Sequence, residues 1–71
     1  MFDEVKILET AQCAVDESLL WFSRYQDNKE EYFYQIAVGK NQYALGLLAA
    51  YEILTGRKVG LYEIENELSN Y

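Results

Sequence analysis

The sequence predicts an all-α protein: an antiparallel helical hairpin of two long helices plus a short C-terminal third helix. Three observations predict it. Proline is absent and the four glycines stand singly, so a chain of 71 residues carries little turn chemistry. Apolar residues recur at helical spacing over three segments, without sustained alternation. Residues 43–54, read as Tyr-Ala-Leu-Gly-Leu-Leu-Ala-Ala-Tyr-Glu-Ile-Leu, hold one charge, Glu52. A helix there is apolar on nearly every side and calls for partners all round.

The first helix is predicted from about Asp3, a good N-cap, to Tyr25. Val5, Leu8, Gln12, Val15, Leu19 and Phe22 form a heptad-like seam. A second stripe, Ile7, Ala11, Ala14, Ser18, Trp21 and Tyr25, lies beside it and is small in its middle. Together the stripes cover more than half the circumference, an arc that one partner helix cannot cover and two can.

Gln26-Asp27-Asn28 reads as the turn, with Asp27 and Asn28 each suited to cap a helix and each followed three residues later by glutamate. The second helix is predicted from about Lys29 to Thr55, folding back on the first through this short connection. Gly56 is a natural left-handed cap, and Arg57 and Lys58 put positive charge near the negative end of the helix. Leu61, Ile64 and Leu68 predict the short third helix over about Leu61–Asn70. No repeat or linker divides residues 1–71, which read as a single helical domain.

Gly39, Gly46 and Ala50 fall within about 40° of one another at helical steps. Because glycine inside a helix costs ~1 kcal/mol relative to alanine, this helix-packing groove calls for a reason. Close approach of another helix, or of a large ring such as Trp21, supplies one. Packing within the chain and contact with a second copy are both open.

Enzyme chemistry is poorly served. Histidine is absent, which removes the usual general base and the commonest metal ligand. Cys13 is the only cysteine, so an internal disulfide or a zinc cluster is excluded. Asp16, Glu17, Glu63 and Glu67 read as a solvated surface, because a di-metal bundle needs Glu-x-x-His pairs and calcium an Asp-rich loop. The Gly56–Gly60 segment lacks the Gly-Lys-Ser/Thr ending of a phosphate loop. The sequence therefore points to no catalytic, cofactor-binding or metal residue, and to no cofactor.

Net charge is −6, which disfavours direct nucleic-acid binding. The apolar run is shorter than the ~20 residues needed to span a bilayer. Met1-Phe2-Asp3-Glu4 lacks the basic and apolar regions of a signal peptide, and a lone thiol suits a reducing cytoplasm.

Aromatics form 15% of the chain and gather where the hairpin turns: Trp21, Phe22 and Tyr25 before it, Tyr32, Phe33 and Tyr34 after it. Consecutive aromatics cannot all enter one small core, so Tyr34 is expected at the surface or in an interface. Tyr25, Asp27, Glu30, Glu31 and Tyr34 are the candidate partner-binding residues, with Leu20, Leu45 and Ala49 on the helix flanks as the competing surface. The function these features predict is a small acidic cytoplasmic protein–protein interaction module, homodimeric and non-enzymatic, whose hairpins pair into a helical bundle. The alternative is an acidic inhibitor or nucleic-acid mimic that occupies a basic site on a larger protein.

Overall fold

The computed structural model describes residues 3–71, and among them the chain is helical without strands. The reading of Met1 and Phe2 falls outside the described residues. Two long helices, α1 (Glu4–Asn28) and α2 (Glu31–Thr55), lie against each other, and a short α3 (Ile64–Leu68) packs on α1. The molecule is elongated, 40 × 19 × 18 Å, because each long helix runs nearly its full length.

Asp3 caps α1 as its sequence predicts. Its Oδ1 accepts from the Val5 N–H at 2.9 Å and the Lys6 N–H at 3.4 Å, satisfying donors that the first turn leaves orphaned. The other end differs from expectation. Asp27 and Asn28 do not cap the second helix; they are the last residues of α1. Instead α1 runs three residues past Tyr25, whose ring pairs with that of Tyr34 across the turn. Lys29 then closes α1 from the left-handed region, at φ 58°, with its N–H on the Tyr25 carbonyl at 2.7 Å. Glu30, extended and without a side-chain cap, opens α2. At the far end Gly56 terminates α2 at φ 74°, its N–H on the Glu52 carbonyl.

The predicted third helix shrinks to one short turn of α-helix. Glu63 explains the loss: its backbone N–H bonds the Gly60 carbonyl while its Oε1 accepts from the Gly60 N–H, both at 3.0 Å. That closed turn delays the helix until Ile64. Beyond Leu68 the chain continues in turns to Tyr71.

The core lies between the small stripe of α1 and one face of α2. Ile7, Ala11, Ala14 and Ser18 of α1 are buried, as are Ala37, Ala44, Leu48 and Tyr51 of α2. Ser18 satisfies its buried hydroxyl by donating to the Val15 carbonyl at 2.8 Å. The heptad-like seam is used only in part. Leu8 and Val15 are buried and Ile64 of α3 joins their cluster, but Leu19, expected in the core, is about half exposed. A five-residue α3 is too short to cover the whole seam.

Lys29 offers a test of the connection. A residue with a Cβ costs about 1–2 kcal/mol in the left-handed region, and glycine occupies it freely. After the larger chain entropy of glycine in the unfolded state is subtracted, Lys29→Gly should stabilise the fold by about 0.5 kcal/mol. Thermal unfolding followed by circular dichroism should show a rise of a few degrees. A fall would mean that the Lys29 ammonium, 5.5 Å from the Tyr25 ring centroid, outweighs the backbone strain.

Candidate functional site

Three regions of the surface follow from this packing. The first is the hairpin tip. Trp21 and Phe33 rings lie 5.5 Å apart, Phe22 and Tyr34 5.6 Å, Tyr25 and Tyr34 5.4 Å, at tilted or edge-to-face angles that suit aromatic pairs. Arg24 covers the Trp21 ring at 4.7 Å. These contacts bring Tyr25 and Tyr34 together, and Asp27, Glu30 and Glu31 stand exposed around them. Tyr34 is 44% exposed, yet its ring also holds the two helices together. It is part clasp and part surface, where the sequence suggested the surface or an interface.

The second region is the outer face of α2, turned away from α1. At helical steps Tyr32, Ile36, Gly39, Tyr43, Gly46, Ala50, Ile53 and Leu54 share it, and no charged residue falls among them. Tyr43 is 56% exposed and Ile53 85%. Among the described residues nothing occupies the stripe of Gly39, Gly46 and Ala50. A Cβ built on Gly39 or Gly46 meets no atom within 4 Å, and all three residues are exposed. Trp21 packs instead on Phe33, so packing within the chain does not account for the small residues. Beside the stripe, Ile7, Leu47, Ala50, Ile53 and Leu54 line an apolar groove of about 240 Å³. Leu20 and Leu45, each about half exposed, and exposed Ala49 lie on the flanks as their spacing implies.

The third region was hidden from the sequence. Glu67, grouped there with the solvated acids, is buried. Its carboxylate accepts from the Tyr51 hydroxyl at 2.5 Å and pairs with Arg57, whose Nε stands 2.8 Å from Oε2 and whose Nη2 donates to Oε1 at 3.0 Å. Arg57 thus ties α3 to the end of α2 rather than only complementing its dipole. Tyr71 extends the chain of contacts: its hydroxyl is 2.7 Å from that of Tyr51 and 2.9 Å from Oε2 of Glu4. Tyr51 gives its proton to Glu67, so Tyr71 has a single proton to share between Tyr51 and Glu4. Only the three- and four-residue spacings of the C-terminal segment hinted that Glu67 shares a helix with Ile64, a core residue.

Neither a scan against protein-family models nor searches of curated proteins and of solved structures find a match.

Burial pushes the Tyr51 phenol well above its ordinary range, and the hydrogen bonds to Glu67 and Tyr71 add to it. The neutral phenol is therefore the folded form. Its folded-state pKa exceeds the unfolded value of about 10, so its contribution is complete below that pH and is lost as pH rises toward the folded value. The difference in 295-nm absorbance between wild type and Tyr51→Phe isolates this phenolate. It should appear together with loss of helicity. A Tyr51 phenolate near pH 10 with helices intact would show that the hydroxyl is open to solvent.

Proposed function

We propose that this chain is a small, acidic, non-enzymatic protein–protein interaction module that pairs with a second copy of itself. The observation that carries the reading is the charge-free outer face of α2, on which Ile53 is 85% exposed and Tyr43 56%. A lone exposed leucine is ordinary; a helix face of this length without an ionic side chain is not. Two hairpins joined there complete a helical bundle, which gives the apolar α2 its second layer of neighbours. No described helix is long and apolar enough to cross a membrane. The exposed free thiol of Cys13 suits a reducing, cytoplasmic setting.

A second reading rests on the tip. Asp27, Glu30 and Glu31 are exposed there, and the neighbouring cation, Lys29, leans over Tyr25. Together with Tyr25 and Tyr34 they form an acidic, aromatic end suited to a basic site on another protein, as an inhibitor or nucleic-acid mimic would use. The two readings separate by salt. Binding through the acidic tip weakens steeply as ionic strength rises, whereas an apolar contact does not.

Light scattering after size exclusion, at micromolar concentration and moderate salt, should give about twice the 8.3 kDa chain mass. Gly46→Leu should return the mass to that of one chain with helicity unchanged, because Gly46 has open space within its own chain. A wild type that runs at 8.3 kDa and melts cooperatively removes the self-association reading. The tip then becomes the surface to pursue.

A further inference from the structure

The outer face of α2 has a symmetry that specifies how a second copy would sit on it; this inference rests on the self-association reading. Gly39, Gly46 and Ile53 are spaced by seven residues, so they drift by only about 20° per step, an offset that a left-handed crossing absorbs. Reversing the helix about Gly46 exchanges Gly39 with Ile53. The most exposed apolar side chain of the face then meets a position with no side chain and nothing within 4 Å. The same operation carries Tyr43 to the level of Ala49 and Ala50. A helical side chain leans toward the N-terminus of its own helix. In the reversed copy that direction leads into the groove of Ile7, Leu47, Ala50 and Leu54, whose volume of about 240 Å³ takes a tyrosine ring. Such self-complementarity is what an isologous two-fold interface requires.

Charge selects the same orientation. The turn that leads into α2 carries Asp27, Glu30 and Glu31, and just past its C-terminal end stand Lys58 and Arg57, the latter paired with Glu67. A parallel pair sets the acidic tips of the two copies against each other. An antiparallel pair sets the acidic tip of one copy beside the exposed Lys58 of the other, which makes no ion pair among the described residues, and it also opposes the helix dipoles favourably. The length is adequate too. A helix of 25 residues is about 37 Å long, so an antiparallel pair can meet along the whole run from Tyr32 to Leu54.

We infer that two copies pair through α2 in antiparallel register about Gly46, with Tyr43 of each in the other's groove and Ile53 of each against the other's Gly39. Paired cysteines test the register in a Cys13→Ser background. Mixed Gly39→Cys and Ile53→Cys chains, one of them isotopically labelled, are oxidised gently and the linked species weighed. The mixed 39–53 disulfide should exceed each symmetric one at least fivefold, where random pairing gives twofold. Gly39→Cys alone, which keeps both Ile53 side chains, should stay unlinked, and Tyr43→Ala should weaken the dimer at least tenfold with helicity intact. Strong 39–39 linkage, or statistical pairing, at a dimeric mass overturns the antiparallel register and leaves self-association standing. A monomeric mass for the unmodified chain overturns both.

Discussion

The thinness of the contact between α1 and α2 governs the rest of the molecule. Its middle is made of Ala11, Ala14 and Ser18 on one side and Ala37 and Ala44 on the other, all buried. Small residues let the helices come close, but each hides little apolar area in doing so. The large side chains are therefore pushed to the two ends of the contact or off it altogether. Aromatics take the end at the turn; Leu8, Leu48, Tyr51 and Ile64 take the other. What is left over, chiefly Tyr43, Ile53 and Leu54, faces outward from α2.

A fold with so slender a middle depends on how its ends are fastened. At the turn, rings from both helices interlock with cations lying over two of them. At the opposite end the fastening is polar. Burying the Glu67 carboxylate is costly unless it is paired and hydrogen-bonded, and Arg57 and Tyr51 meet that need together. Removing either leaves a buried charge short of a partner, a loss of about 1–3 kcal/mol for a hydrogen-bonding group. The network fastens α3 where Ile64 joins the core cluster, without requiring a longer third helix. By contrast, the exposed Lys40–Glu17 pair between α1 and α2 adds little, since solvent screens it.

Much of the fold was legible in the sequence because it followed from local chemistry. Asp3 and Gly56 mark helix ends by capping rules that need no tertiary context, and both long helices follow from apolar periodicity. Errors arose where tertiary contacts outvoted local preference. Asp27 and Asn28 have the right side chains to start a helix, but α1 runs through them to Lys29, and the Tyr25–Tyr34 ring pair spans the turn. Leu19 has the spacing of a core residue, but Glu63 closes a turn that shortens α3 beneath it. Glu67 looked like its solvated neighbours because its partners, sixteen and ten residues before it, are far away in the chain. Among the candidate site residues, the tip cluster was legible as a cluster, yet the double duty of Tyr34 was not. The stripe of Gly39, Gly46 and Ala50 was legible as a stripe; only the packing of α1 decided that it points away from the hairpin.

The acidity of the chain and the apolarity of that face bear on each other. Two chains of charge −6 repel at a distance, so contact between copies is most favourable where like charges are absent from the surface that meets. The outer arc of α2 between Tyr32 and Leu54 meets that condition: of the charged residues in this helix, Glu31 stands at its start, and Lys40 and Glu52 project to the sides. Placing the acids at the tip and along α1 keeps the chain repelling others over most of its surface while leaving one route of approach. Distributed the other way, with acids on α2 and the apolar residues scattered, the same composition would give a chain with no preferred contact. The arrangement of charge thus narrows the choice of interface as strongly as the apolar residues do, and it assigns the acidic tip a part in either reading of the function.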